Sequence, residues 1–176
     1  LTEVAGTPTE QKLRHLIAMS VPNQPRDLEN ANGDAVFLSD VNWTEAETGW
    51  GSPTRNLYCI SRNVRDAVFL EMANQFYSKG LYAHAPSRYV FRLDRKWETF
   101  EAVGGLQSGA ASIGSAVFIV KADGRECYRS PLLSGSTTVD IRVDVSGVDT
   151  LELLTESGKD GNASCWSIWG NPRVGR

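Results

Sequence analysis

The sequence predicts an all-β fold, an antiparallel β-sandwich that is preceded by one short helix. Strict alternation of apolar and polar residues over Val139–Val145 places the apolar side chains on one face, as in a half-buried strand. Asp123 and Gly124 lie between two strand-like runs, and both residue types accept the positive φ that tight hairpins require. From residue 35 onward, short extended runs alternate with turn residues, and no second helical pattern occurs. These three features together are typical of hairpin-connected strands packed in two layers.

The candidate strands of this sandwich are short and separated by turn-forming residues. They are Ala35–Ser39, Leu57–Arg62, Ala67–Met72, Tyr89–Leu93, Glu98–Gly104, Ala116–Ala122, Glu126–Arg129, Thr138–Asp144, Thr150–Thr155 and Ser164–Trp169. Within the sixth of these runs, Val117–Val120 is continuously apolar, which indicates a strand buried on both faces.

The N-terminal part of the chain has a different pattern. We expect residues 1–34 to form a linker with a short helix at Thr9–Ser20, where apolar residues recur at helical spacing from Leu13 to Ile17. Two prolines and an Asn-Gly pair then end the helix. The sequence therefore predicts two parts, this linker and a sandwich domain over residues 35–176.

Composition narrows the class of protein. With 176 residues and 41% hydrophobic content, the chain suits one globular domain with a sizeable core. Its formal net charge of −3 gives no electrostatic footprint for nucleic acid, and no apolar run is long enough to span a membrane. The chain begins with Leu1 and carries no signal peptide, so we expect a piece of a longer or processed protein. Its three cysteines could form at most one disulfide.

Sequence signals for catalysis are few. Of the two histidines, His15 falls in the expected helix, which leaves His84 alone and offers little for a Ser-His-Asp site. The nucleophile-elbow, zinc-protease and phosphate-loop patterns do not occur in the sequence. A glycosidase needs only two carboxylates, which the chain has in number, so a small glycoside-active enzyme stays a third interpretation.

Two residues have the chemistry of a ligand site. His84 lies next to Pro86, whose fixed φ would hold the histidine ring in place beside a strand. Trp50 lies between Gly49 and Gly51, which places its indole on a loop, where a flat apolar face and one N–H donor suit a sugar. The alternatives are a buried histidine bonded to backbone and a tryptophan that caps the core. For the nearby Trp43 we favour the core.

The sequence also resembles a known family. Gly80–Ser87, read as GLYAHAPS, is similar to the signature of the NPCBM domains, carbohydrate-binding module family 51. Further stretches resemble the same family in consistent order over about residues 36–174. These are Leu38–Trp43, Gly49–Gly51, Trp97–Gly104, Ser115–Gly124, Val143–Gly147 and Leu151–Leu153.

The resemblance implies a fold and a function. The family has a galactose-binding-domain-like β-sandwich of the jelly-roll type, and its members bind carbohydrate without catalysing a reaction. On this basis we expect a module that recognises a terminal, galactose-type sugar within a longer, glycan-degrading protein that is secreted, periplasmic or at the cell surface. Trp50 would stack on the sugar, His84 would form a hydrogen bond, and Glu45 and Arg55 would bind hydroxyls.

Related modules also suggest a cofactor. Sandwich domains of this kind often hold a structural calcium ion where the first and last strands meet, and calcium binds several oxygen ligands. Here Glu47, Asp160 and Asn162 would supply them. This expectation depends on the resemblance, because the spacing matches no EF-hand loop.

The C-terminal segment departs from the family pattern. Cys165 and Trp166 stand where the family has Asp and His, whereas Trp169 and Arg173 match it. If Asp and His contact sugar in relatives, an indole in their place would weaken hydrogen-bond recognition and strengthen stacking. The alternative function is therefore a protein-interaction or assembly module that has lost sugar binding.

Overall fold

The computed structural model describes residues 24–58, 68–109, 114–158, 161 and 163–176. In these ranges the chain forms two single-turn 3-10 helices, Leu28–Asn30 and Leu38–Asp40, and a series of β-strands. The strands are β1 (Ala35–Phe37), β2 (Glu45–Thr48), β3 (Thr54–Arg55), β4 (Leu57–Tyr58), β5 (Val68–Met72), β6 (Gln75–Tyr77), β7 (Gly80–His84), β8 (Ser87–Arg92), β9 (Thr99–Leu106), β10 (Ser115–Ala122), β11 (Arg125–Arg129), β12 (Leu133–Ser134), β13 (Thr138–Asp144), β14 (Thr150–Ser157) and β15 (Trp166–Gly175). None of the helices in the described ranges has the length and apolar character needed to cross a membrane.

The strands form two large sheets and one small one. The first sheet has the order β13-β9-β15-β7-β3, with β1 also paired to β15. The second has the order β11-β10-β14-β8-β2, with β12 also paired to β10. A third sheet of three strands has the order β4-β5-β6. Every pairing between these strands is antiparallel, so the predicted antiparallel β-sandwich is confirmed.

The main core lies between the two large sheets. Its largest side chains include Trp97, Phe100, Phe118 and Trp169, which are almost entirely buried. The alternation over Val139–Val145 works as predicted, since its middle and last apolar residues are buried and the first packs against the core. Burial of large aromatic side chains between the layers stabilises the sandwich through the hydrophobic effect.

The hairpin predicted at Asp123 and Gly124 is confirmed. These residues have φ values of 48° and 77°, and the flanking Ala122 and Arg125 are paired between β10 and β11. The carboxylate of Asp123 also accepts a hydrogen bond from the backbone N–H of Thr150, at 2.8 Å, which ties the turn to β14.

A second apolar cluster lies on the outer face of the first sheet, under the small sheet. It contains Tyr58, Leu70, Met72, Tyr77, Tyr82 and Ile168. Gly80 and Gly170 permit this close packing, because a Cβ on either would approach a side chain of the small sheet to 2.5 or 2.6 Å. The small sheet therefore lies directly on the backbone of β7 and β15.

Several element boundaries differ from the sequence prediction. Gly80–His84 is a full strand of the first sheet, although it is not among the candidate strands predicted from the sequence. Glu45–Thr48 is also a strand that is not among those candidates. The last strand extends to Gly175 because a bulge between Gly170 and Arg173 allows the chain to continue past Pro172. No local sequence pattern predicted this bulge, because it depends on how β15 pairs with β9.

The predicted helix at Thr9–Ser20 lies outside the described residues, as do residues 59–62 at the end of the predicted strand Leu57–Arg62. The described part of the linker packs on the sandwich. Leu28 and Ala31 are buried in the main core, and Arg26 forms a backbone bridge with Val41.

Candidate functional site

The candidate site lies at one edge of the sandwich, where β2 of the second sheet approaches β7 of the first. The backbone N–H of Gly49 donates to the carbonyl of His84 at 2.9 Å, and the N–H of His84 donates to the hydroxyl of Thr48 at 3.0 Å. A Cβ on Gly49 would lie 2.8 Å from both Ala85 O and Pro86 Cδ, so only glycine fits this contact. The loop after β2 is therefore fastened to the turn between β7 and β8.

Trp50 projects from this loop into solvent. It is 54% exposed, one of two large hydrophobic residues in the described chain that are exposed. Its ring centroid lies 6.3 Å from that of His84, with an interplanar angle of 63°. Of the two interpretations of Trp50 from the sequence, the structure matches the surface position. Trp43, by contrast, packs partly buried against the main core.

His84 is buried to 7% exposure, and its Nδ1 lies 2.8 Å from the carbonyl oxygen of Ala85. A carbonyl oxygen only accepts hydrogen bonds, so Nδ1 carries the hydrogen. In the neutral ring Nε2 is then an acceptor, and no residue in the described ranges forms a hydrogen bond with it. The structure thus matches the alternative of a buried histidine bonded to backbone, and Nε2 is left without a protein partner among the described residues.

Trp166 lies directly opposite His84 in the pairing of β15 with β7, so both side chains are on the outer face of the first sheet. Its ring packs 5.1 Å from that of Tyr58, which in turn lies 4.7 Å from Tyr82. We call Trp50, His84, Trp166 and Tyr58 the aromatic row. Trp166 and Tyr58 were not named as site residues from the sequence, because only the pairing of distant strands brings them here.

Cys165, the other residue of the C-terminal segment that departs from the family pattern, lies in the protein interior. Cys165 is fully buried, and its thiol lies 3.0 Å from the carbonyl oxygen of Ser115. It is a free cysteine, as is the exposed Cys127, whereas Cys59 lies outside the described residues. Cys165 therefore fills a position in the interior and does not face the aromatic row.

Arg55 is not part of this arrangement. It pairs with Leu81 across β3 and β7, which places its side chain on the core-facing side of the sheet. Its guanidinium carbon lies 3.4 Å from the ring centroid of Trp43, a close cation–π contact. Burial lowers the pKa of Arg55 to about 10, and its Nη1 is buried without a hydrogen-bond partner among the described residues. The sheet thus separates Arg55 from Trp50 and His84.

Glu45 and Glu47 lie on the outer face of the second sheet, where both face Arg88. The Nη1 atom of Arg88 is 2.5 Å from Glu45 and 3.7 Å from Glu47, and its Nε is 2.7 Å from Glu152. Hydrogen bonds to Glu152 and then to Glu45 raise the pKa of Arg88. The carboxylate of Glu45 is therefore occupied by an ion pair and does not reach toward Trp50.

The same geometry bears on the expected calcium ion. The guanidinium of Arg88 lies 3.7 Å from the carboxylate of Glu47, and its positive charge would repel a calcium ion bound there. Asp160 and Asn162 lie outside the described residues. Within the ranges that the structure describes, no cluster of three acidic, histidine or cysteine side chains has the arrangement of a metal site. The described residues alone do not fit a calcium site, and the calcium ion stays a prediction.

The fold and the site together define a class of protein. An antiparallel β-sandwich with an exposed indole beside a hydrogen-bonding imidazole at one edge has the architecture and chemistry of a carbohydrate-binding module. The chain belongs to the NPCBM/NEW2 domain family, whose model matches residues 34–175.

Two individual similarities support this assignment. The chain is 29% identical over 140 residues to a Renibacterium salmoninarum protein named "Putative endo-alpha-N-acetylgalactosaminidase". The match covers 78% of this chain and 9% of that protein, so the chain spans a small fraction of this relative. The structure of a CBM51 domain from Clostridium perfringens GH95 in complex with methyl-galactose has a TM-score of 0.70 and 27% identity, covering 80% of this chain and 99% of that one.

A third similarity shows the fold alone. The structure of the M60 catalytic domain with the CBM51-1 and CBM51-2 domains from Clostridium perfringens ZmpB has a TM-score of 0.69 at 24% identity, covering 80% of this chain and 15% of that one.

Proposed function

We propose that this domain is a non-catalytic module that binds a terminal sugar of the galactose type at the aromatic row. The observation that carries the proposal is the position of Trp50, an exposed indole that lies at the rim of the site beside His84. An exposed indole offers a flat apolar face for the C–H groups of a sugar and one N–H donor for a hydroxyl.

Each residue has a distinct role in this proposal. The face of the Trp50 ring stacks on the C–H face of the sugar, which buries apolar surface on both. The Nε2 atom of His84 accepts a hydrogen bond from a sugar hydroxyl, while the bond from Nδ1 to Ala85 keeps the ring orientation fixed before the ligand arrives. Trp166 extends the apolar surface on the other side of His84.

Glu45 and Arg55 are left out of the proposed site. The charge of Glu45 is paired with Arg88, and the guanidinium of Arg55 lies on Trp43. A site with one stacked ring and few hydrogen bonds supports weak binding, with a dissociation constant on the order of 1 mM to 1 μM.

The likeness to the CBM51 domain in complex with methyl-galactose supports the choice of sugar. The relative named as an endo-alpha-N-acetylgalactosaminidase supports the further proposal that this module belongs to a longer, glycan-degrading protein that is secreted or displayed at the cell surface.

The alternative function, a protein-interaction module without sugar binding, gains support from one observation. Trp166 stands beside His84 where the family pattern has a histidine, and its ring packs on Tyr58. If the histidine of the family pattern contacts sugar in relatives, this arrangement removes one polar ligand from the site.

A titration with methyl galactoside separates the two functions. We expect saturable quenching or a shift of the tryptophan fluorescence of the wild-type domain, and loss of that response in Trp50→Ala. An array of glycans that detects no binding by the folded wild-type domain would favour the protein-interaction alternative.

A further inference from the structure

A second cleft lies on the outer face of the first sheet, away from the aromatic row. Its volume is about 460 Å³, and it is lined by Phe37, Glu101, Asp140, Arg142, Asn171 and Arg173. Small-ligand sites in proteins ordinarily have volumes of about 300–1,000 Å³. The cleft forms beside the bulge between Gly170 and Arg173, and bulges often occur where a strand re-aims its side chains toward a ligand.

The cleft is built on one row of paired residues across four neighbouring strands. Phe37 on β1 pairs with Arg173 on β15, Arg173 pairs with Glu101 on β9, and Glu101 pairs with Arg142 on β13. Directly paired residues have side chains on the same face of a sheet. A half-buried aromatic ring, two guanidinium groups and a carboxylate therefore line one strip of surface.

Glu101 holds both guanidinium groups in place. Its Oε2 accepts from Nε and Nη2 of Arg173 at 2.8 and 2.5 Å, and its Oε1 accepts from Nη1 of Arg142. The hydrogen bonds from Arg173 are the largest cause of a lowered pKa of Glu101, so this carboxylate is ionised at neutral pH. Groups that are already fixed lose little conformational entropy when a ligand binds.

Both guanidinium groups retain donors for a ligand. A guanidinium carries five N–H groups, and the described residues use two from Arg173 and one from Arg142. Asp140, which is exposed at the rim of the cleft, supplies acceptor oxygens, and the amide of Asn171 supplies both kinds of group.

The charges of the cleft are balanced, since Arg142 and Arg173 face Glu101 and Asp140. A strongly anionic or cationic ligand would meet repulsion as well as attraction. A neutral ring that carries several hydroxyl groups matches the alternating donors and acceptors, and the ring of Phe37 offers an apolar contact for its C–H groups.

We propose that this cleft is a second carbohydrate site that takes a neutral pyranose and works separately from Trp50 and His84. Trp166 and Arg173 lie on the same strand, so the two sites are about 20 Å apart at about 3.3 Å per residue. A module with two sites at this separation holds two sugar residues of one branched glycan, or of neighbouring glycans, and gains avidity from both.

Nuclear magnetic resonance of the nitrogen-15-labelled domain tests the second site. The probes are the methyl glycosides of galactose, glucose, mannose, fucose, xylose and N-acetylglucosamine, each to about 50 mM, well above a dissociation constant of about 1 mM for a weak site. At least one of these probes should produce saturable shifts of the Arg142 and Arg173 Nε–H signals and of the Asn171 side-chain amide.

Substitutions at two exposed residues test whether those shifts arise from binding in the cleft. Arg142→Ala and Asp140→Asn should each weaken binding in the cleft at least fivefold while leaving the melting temperature near that of wild type. The matched control is Arg95→Ala, which removes an exposed arginine that pairs with Asp149 elsewhere on the surface. This control should leave the cleft signals and their titration unchanged.

The outcomes of the two proposals are distinguishable. Saturable cleft shifts in the Trp50→Ala variant support the second site whether or not the first site binds sugar. Shifts of the Trp50 indole signal without cleft shifts for any of the six probes would overturn the second site and leave the proposed function standing. Cleft shifts that survive Arg142→Ala, or that appear only with an anionic sialic acid glycoside, would also overturn it.

Discussion

The rings of Trp50 and His84 lie 6.3 Å apart, although Trp50 follows a strand of the second sheet and His84 ends a strand of the first. The contact therefore joins the two layers of the sandwich at one edge. The N–H of Gly49 donates to the carbonyl of His84, and the N–H of His84 donates to the hydroxyl of Thr48, so the backbone is held in place on both sides of the contact. A side chain that is exposed while its backbone is fixed can be removed with little effect on the fold.

The first prediction follows because the side chain of Trp50 is exposed while hydrogen bonds hold the backbone next to it in place. Trp50→Ala should abolish sugar binding while changing the free energy of unfolding by no more than about 0.5 kcal/mol, as for other exposed positions. The matched control is Trp97→Ala, since Trp97 is 1% exposed and its loss should cost about 3–5 kcal/mol. Calorimetric titration and thermal unfolding of both variants would check this. A large loss of stability in Trp50→Ala would contradict the surface role.

The second prediction concerns the ring of His84. His84→Ala should weaken binding, because Nε2 no longer accepts from a hydroxyl, and should cost about 1 kcal/mol for the lost hydrogen bond to Ala85. Calorimetric titration with methyl galactoside and thermal unfolding of the variant measure the two effects. Unchanged affinity in the folded His84→Ala variant would remove His84 from the site.

A third prediction concerns Trp166, which stands where the family pattern has histidine. Trp166→His should restore a polar partner next to His84 and increase the preference for galactose over glucose, its epimer at C4. It should also lower stability, because the ring contact with Tyr58 is reduced. The ratio of dissociation constants for the two methyl glycosides measures the effect. An unchanged or smaller ratio would show that Trp166 does not read the sugar.

The fourth prediction uses the lowered pKa of Glu101, whose main cause is hydrogen bonding from Arg173. A carboxylate with a lowered folded-state pKa contributes stability above its unfolded pKa of about 4.3, and this contribution is lost as the pH falls through the folded-state value. Glu101→Gln should therefore be less stable than wild type at pH 7, and the two should converge at acid pH. Urea unfolding at several pH values measures the difference, with Glu98→Gln as an exposed control on the same segment.

The fifth prediction concerns the calcium ion expected from related modules. If Glu47, Asp160 and Asn162 bind calcium, a chelator should lower the melting temperature, because an ion that binds only the folded state stabilises it. Glu47→Gln should remove that response. Equal melting temperatures with calcium and with chelator, together with no metal by elemental analysis, would exclude the site. In that case the contact of Glu47 with Arg88 is its whole role.

Much of the fold followed from local chemistry in the sequence. The alternation over Val139–Val145 and the turn at Asp123 and Gly124 identified a hairpin-rich sandwich, because side-chain direction alternates along a strand and tight hairpins need positive φ. The glycines on both sides of Trp50 indicated a loop, but they left open whether the ring is exposed or caps the core. These predictions need no knowledge of which strands are neighbours.

Which residues meet was decided by the tertiary structure. Glu45 and Arg55 are near Trp50 in sequence, yet one pairs with Arg88 across β2 and β8 and the other lies on Trp43 behind the first sheet. Trp166 reaches His84 only because β15 pairs with β7 in a particular register. A shift of that register by one residue would place Trp166 on the opposite face. Strand order and register are set by packing of the whole core, so the sequence determined the residue types available for a site and the assembled sheets determined which of them share a surface.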